Sequence, residues 1–334
     1  MKPQAQHATP AILFVAIASI SNLLHGQNDQ DELVSNGLSN LLDLMLHGQN
    51  FQDGVDALLA ENYETALEIL EPIAEEGNTQ AQYNLALMYY QGKGVPQDFA
   101  KAASWFRMSA VQGYAPAQFV LAQMYYHAEG VPQDYAEAAK WYRLAADQGD
   151  ASAQSSLGVM YRNGEGVPQD DAEAVKWYRL AAEQGNAYAQ TILGLMYRNG
   201  EGVPQDDAEA AKWYRLAAGQ GDAYAQSILG IMYCTGQGVN QNYEEAVRWY
   251  RMAANQGFAP AQSNLGVMYG KGEGVAQNFM NAYILSNLAA AQGNESAREN
   301  RDLAAEKLSH EQVAEAQILS SQWKVGEPLP LQGG

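Results

Sequence analysis

Residues 149–184 read GDASAQSSLGVMYRNGEGVPQDDAEAVKWYRLAAEQ. The next 36 residues, from Gly185, differ from them at seven positions, and glycines at 77, 113, 149, 185, 221, 257 and 293 keep the same phase. A period of about 20 to 50 residues marks a chain that grows by stacking one unit, so the fold follows from reading that unit. Ala153, Leu157 and Tyr161 recur every four residues, which puts them on one helix face directed into the stack. Gly158 sits in mid-helix, where it costs roughly 1 kcal/mol relative to Ala, so close approach of a second helix is its expected compensation. The phrase Gly164-Glu-Gly166-Val-Pro168 ends this helix, because glycine permits positive φ and proline cannot continue the ladder. Asp170 followed by Glu173 predicts an N-cap box, as do Asp134 with Glu137 and Asp206 with Glu209. The second helix should bury Ala174, Trp177, Tyr178 and Ala181 and stop at Gln184-Gly185. Asp150, Asn186 and Asp222, each just after its unit's leading glycine, are placed to cap the first helix.

Outward from this unit, six full repeats occupy 77–112, 113–148, 149–184, 185–220, 221–256 and 257–292. Residues 54–76 read as an N-terminal capping helix pair, with Tyr63, Ala66, Leu67 and Leu70 at helical spacing. Residues 293–323 read as C-terminal capping helices, the last opened by Ser309 and Gln312 and turning Val313, Ala316, Leu319 and Trp323 to the stack. The Pro/Gly-rich segment 324–334 is expected to be a disordered tail, and 28–53 a linker or a short amphipathic helix. Lys2 precedes an apolar run over 11–20, with no acidic residue before Asp29, so 1–27 is expected to be a signal peptide. The run is shorter than the about 20 residues of a membrane span. An uncleaved anchor and a cytoplasmic tail are the other readings of this segment. The expected location is periplasmic or secreted, with cytoplasmic as the alternative, and no stable membrane span is expected after export.

Nineteen basic against 38 acidic side chains give a formal charge of −19, which opposes binding to nucleic acid or anionic lipid and favours a basic partner. Cys234 is the only cysteine, which removes intramolecular disulfides and cysteine-rich metal sites. His7, His25, His47, His127 and His310 never fall at a ligand spacing. The Gly164-Glu-Gly166 loop lacks the Lys-Ser/Thr of a phosphate loop. Asp170-Asp171 returns as Asp206-Asp207, following the structural unit, whereas a catalytic dyad would be confined to one place. No catalytic residue, metal or cofactor is expected.

The 36-residue period, the Ala-x-x-x-Leu-Gly-x-x-Tyr phrase, the Gly-x-Gly-Val-Pro loop and the Ala-x-x-Trp-Tyr-x-x-Ala-Ala-x-Gln-Gly phrase together resemble Sel1-like repeats, relatives of tetratricopeptide repeats. The resemblance covers residues 77–316 and implies an all-α fold, a right-handed α/α superhelical solenoid that acts as a non-catalytic protein- or peptide-binding scaffold. In tetratricopeptide-like units the concave wall is lined by first-helix positions lying between the buried ones. Carried over, these include Tyr83, Tyr90, Phe119, Tyr126, His127, Arg162, Tyr188, Arg198 and Tyr224. Aromatic and Arg side chains are frequent anchors of binding energy. Arg162 and Arg198, one repeat apart, could clamp a peptide carboxylate, with ion pairs to nearby acids as the competing reading; for the aromatics, the competing reading is packing against neighbouring helices. A cysteine-rich branch of the family is linked to penicillin binding or hydrolysis, and a single Cys234 departs from it. The alternative functions are a cell-wall-directed hydrolase or β-lactam-binding protein and a secreted host-interaction factor.

Overall fold

The computed structural model describes residue 48 and residues 50–332, so the expectations for 1–27, and those for most of 28–53, lie outside the described residues. The described chain is helical throughout, without a strand, and divides into two compact units, 1–108 and 109–334.

In the first unit, a helical stretch over 50–59 precedes α1 (Tyr63–Glu75), α2 (Thr79–Gln91) and, as far as Met108, α3 (Phe99–Val111). Leu70, Ile73, Leu85 and Met88 form its core, and Phe51, Ala57 and Leu58 pack against them. Burial of Phe51 draws the leading helix to a point before residue 54, where the sequence reading placed its start.

The second unit continues with α4 (Ala115–His127), α5 (Tyr135–Asp147), α6 (Ala151–Asn163), α7 (Asp171–Glu183), α8 (Ala187–Asn199) and α9 (Asp207–Gly219). After them come α10 (Ala223–Thr235), α11 (Tyr243–Asn255), α12 (Ala259–Lys271), α13 (Phe279–Ala291), α14 (Glu295–Ala305) and α15 (His310–Gln322). From α4 to α14 each helix packs on the next, and α15 packs on α13. The fold class is that of an all-α solenoid of tandem 36-residue repeats.

The caps explain where the helices begin. Asp150, Asn186 and Asp222 accept the backbone N–H groups of Ala153, Ala189 and Ala225 at 2.7, 2.9 and 2.6 Å. Asp170 accepts from the Glu173 N–H at 2.9 Å, a contact of about 1 kcal/mol. Only that half of the expected box forms at Asp170. The Glu173 side chain turns outward to Lys176, at 2.7 Å, and Glu209 does the same with Lys212. The reciprocal box is complete at Ser309 and Gln312.

The cores of the repeats rest on a glycine and a tyrosine. A Cβ on Gly158 would lie 2.9 Å from the Tyr178 ring, which is 1% exposed. The absent side chain is the space in which the second helix seats its aromatic ring, at roughly 1.5–3 kcal/mol per buried large side chain. Tyr161, expected in the stack, is only half-buried and meets Arg143, whose guanidinium lies 5.6 Å from its ring.

A buried polar ladder accompanies this core. Gln154 donates to the Ala146 carbonyl at 3.1 Å and accepts from Gln184 at 2.8 Å. Gln190 donates to Ala182 at 2.9 Å and accepts from Gln220 at 2.8 Å, and Gln226 and Gln262 repeat the arrangement. Each amide satisfies a carbonyl near the end of one helix while tying on the second helix of its own repeat.

The sequence reading of 324–334 as disordered does not hold for residues 324–332. Leu329 and Leu331 pack against the core cluster that includes Val247 and Met280, and Asn281 holds the backbone of Gln332. Two leucines and two side-chain amides outweigh the local Pro/Gly composition.

Candidate functional site

The expected binding residues lie on the first helices of the repeats, and the structure sorts them into packed and open positions. In the first unit, the Tyr83 ring meets Phe106 edge-on at 5.6 Å, and Tyr90 meets Phe99 at 5.1 Å and Phe106 at 6.4 Å. Both tyrosines are half-buried, so packing on second-helix aromatics is part of their role. In the second unit, Phe119 lies 5.8 Å from Tyr142, and Tyr126 lies 5.0 Å from Tyr135. His127 is exposed at the end of α4, 5.0 Å from the Tyr126 ring.

A second ladder runs along the last turns of these helices. The Tyr126 hydroxyl donates to Glu165 at 2.7 Å, and Arg162 donates to Glu201 at 2.9 Å. In each case the acid comes from the Gly-x-Gly loop of the following repeat, 39 residues on. The hydrogen bond to Glu165 pushes the Tyr126 pKa up to about 12, because the anionic acceptor favours the protonated phenol. The next rung is open. Gln237 stands where a glutamate would meet Arg198, and among the described residues no carboxylate lies within ion-pair distance of that half-buried guanidinium. The two arginines expected to act as a clamp therefore differ: Arg162 is held by Glu201 and Arg198 is not.

Exposed aromatic rings stand on the helix that carries Arg198 and on the first helix of the next repeat. Tyr188 and Tyr224, near the N-termini of α8 and α10, are 53% and 39% exposed and are among the largest exposed apolar groups of the unit. Tyr188 neighbours the buried Tyr178, and Tyr224 neighbours the buried Tyr214, whose hydroxyl lies near Arg198 without a well-formed hydrogen bond. Burial is the main cause that raises the pKa of Tyr178 and Tyr214, so both remain neutral. A half-buried cation without an acid, at the end of a helix whose first turn carries an exposed ring, is suited to hold a segment that offers a carboxylate and an apolar contact.

Cys234 is half-buried with its sulfur 3.7 Å from that of Met268, and burial raises its pKa, which keeps the thiol protonated and weakly nucleophilic. Among the described residues no group of three His, Cys, Asp or Glu side chains could hold a metal ion. No helix among them is long and apolar enough to cross a membrane.

Sequence reasoning missed the glutamine ladder, the loop glutamates that close the rungs, and the arginines of the second helices. Arg215 and Arg251 donate to the Tyr233 and Tyr269 hydroxyls of the next repeat at 3.1 and 2.8 Å. The available signal was phase: Gln118, Gln154, Gln190, Gln226 and Gln262 recur at 36 residues beside the alanine of the buried face.

The chain matches the Sel1 repeat family over residues 79–114, 115–150, 151–186, 187–222, 223–258 and 259–294. Among solved structures it is similar to a protective antigen present in uropathogenic Escherichia coli strains that displays an SLR fold. That similarity has 33% identity and a TM-score of 0.64 over 86% of this chain and 71% of the other. It is also similar to a Sel1 repeat protein from Oxalobacter formigenes, with 32% identity and a TM-score of 0.62 over 72% of this chain and 96% of the other. A search of curated proteins found no match.

Proposed function

The chain belongs to the Sel1 repeat family, and we propose that it is a non-catalytic scaffold that binds a protein or peptide through the first-helix face around Arg198. Sel1 repeat proteins generally act as protein-interaction scaffolds. The observation that carries the finer reading is the open rung. In a chain of formal charge −19, whose corresponding Arg162 is neutralised by Glu201, Arg198 stands half-buried without an acid, and the first helices here also carry the exposed Tyr188 and Tyr224. Taking a partner's carboxylate there replaces the missing glutamate. The overall negative charge favours a partner whose surface is basic on balance, through long-range attraction, while Arg198 fixes the register locally. Within the second unit, Phe119, Tyr126 and His127 are further first-helix positions of this reading, and Tyr83 and Tyr90 are its counterparts in the first unit.

We place the protein in the bacterial envelope or the secreted fraction on the reading of 1–27 as a signal peptide. The description of the Escherichia coli neighbour as a protective antigen supports the same direction, and with it the reading of a secreted host-interaction factor.

Capture from envelope and medium with the wild-type chain and with a Tyr188→Ala, Arg198→Gln, Tyr224→Ala variant tests the face. The variant should keep its helicity by circular dichroism and lose the partner; equal recovery would remove this surface from the proposal. The N-terminal mass of the protein from culture fractions tests export, since a cytoplasmic protein retaining residues 1–27 would overturn it.

A further inference from the structure

The C-terminal segment occupies a site with features of a peptide-binding groove. Asn281, on α13, is 1% exposed and spends both polar atoms of its amide on one backbone residue: it donates to the Gln332 carbonyl at 3.0 Å and accepts the Gln332 N–H at 2.8 Å. Asn255, the last residue of α11, accepts the Leu329 N–H at 3.3 Å, and Glu315 accepts from the Gln332 side chain at 2.9 Å. Leu329 and Leu331, on either side of Pro330, pack against the core cluster that contains Val247 and Met280.

These amides are not part of the common repeat. The position of Asn281 is Glu137, Glu173, Glu209 and Glu245 in the preceding repeats, and that of Asn255 is Asp147, Glu183 and Gly219. A carboxylate at 281 could not donate to a carbonyl, so the two-point grip exists at this end of the array alone among the repeats of the second unit. Such a grip reads backbone and ignores the side chain of the residue it holds, while the leucine pair supplies selectivity.

We propose that this groove is a second peptide-binding site, separate from the first-helix face, which accepts an extended partner segment carrying two leucines one residue apart and is blocked at rest by the chain's own 329–332. The argument for that occupant is the segment already seated there, whose Leu-Pro-Leu-Gln sequence packs two leucines on the core cluster and gives its backbone to Asn255 and Asn281. A tethered segment acts at an effective concentration of about millimolar, so a partner engages only when it outcompetes the tail or the tail is withdrawn.

The test uses the full chain and a fluorescent peptide of residues 326–332. Leu329→Asp with Leu331→Asp expels the chain's own tail. That variant should keep wild-type helicity and bind the peptide saturably, at least about tenfold more tightly than the wild type, by anisotropy. Adding Asn281→Glu, the residue the preceding repeats carry, should abolish binding. No saturable binding by the helical double variant, or equal binding with Asn281→Glu, would overturn the proposal. Should the double variant fail to fold, Asn281→Glu alone decides: trypsin should cut after Lys324 faster than in the wild type, and an unchanged rate would overturn the grip. Neither readout involves Arg198, so its outcome is independent of the first-helix face.

Discussion

Ala128 occupies a left-handed position, φ 61°, at the C-cap of α4, where the corresponding caps of α2, α6 and α8 are Gly92, Gly164 and Gly200. A Cβ is disfavoured in that conformation by roughly 1–2 kcal/mol, partly offset because glycine has more freedom to lose on folding. Ala128→Gly should therefore raise stability by about 0.5–1 kcal/mol, read as a higher urea midpoint with an unchanged slope. The opposite result is expected at Gly230, where a Cβ would fall 2.5 Å from the Tyr250 ring. Gly230→Ala gains helix propensity of about 1 kcal/mol but overpacks a core ring by about 1–3 kcal/mol, so the net effect is destabilising. Gly219, at the end of α9 with nothing within 4 Å of its missing Cβ, is the control, and Gly219→Ala should be neutral or stabilising.

At the scale of the element, the unit of cohesion is a glutamine joined to a helix end. Gln190 is 3% exposed and ties the Ala182 carbonyl of the preceding second helix to Gln220 of the following one. Gln190→Ala removes one of the hydrogen bonds to the Ala182 carbonyl, which keeps the Gly185 N–H at 3.0 Å, and returns the exposed Gln220 amide to water, so it should cost about 0.5–1.5 kcal/mol. Gln220→Ala removes only the outer, exposed member and should cost less. A double-mutant cycle between them should give a coupling of at least about 0.5 kcal/mol, and additivity would show that the 2.8 Å contact carries no energy of its own.

For the whole molecule, stability is a sum of like interfaces that must be closed at its ends. Leu144, Leu180, Leu216 and Met252, at one position of successive repeats, are 46%, 45%, 51% and 39% exposed, whereas the corresponding Leu288 is 8% exposed. The difference is α15: it packs on α13 and exchanges hydrogen bonds with it, Asn287 to Ser320 at 2.8 Å and Gln317 to Tyr283 at 3.0 Å. Deletion of 309–334 should bare this face, lower the melting temperature and produce concentration-dependent light scattering. The buried tyrosines set a second global property. Burial pushes Tyr142 up to about 12 and raises Tyr178, Tyr214 and Tyr250 as well, against about 10 in an unfolded chain. Between those values the unfolded state binds fewer protons than the native one, so this contribution is complete below about pH 10 and is lost as pH rises through about 12. Urea midpoints should be flat from about pH 8 to 9.5 and fall steeply above.

The sequence by itself determined the fold class, the repeat and its phase, the N-caps at Asp150, Asn186 and Asp222, and the compensation for Gly158. Each depends on local periodicity or on residues within one 36-residue unit, where spacing along the chain and neighbourhood in space coincide. It also placed Arg162 and Arg198 on corresponding positions of one helix face. Only the tertiary structure decided that they are unlike. Glu201 closes one rung and Gln237 leaves the next open across 39 residues, a pairing that no periodicity within a helix reports. The same holds for the tail: its composition suggested disorder, while its docking depends on Asn255 and Asn281, 74 and 51 residues away from their partners. Contacts between repeats, and between an array and its own end, are set by three-dimensional register, which one unit does not encode alone.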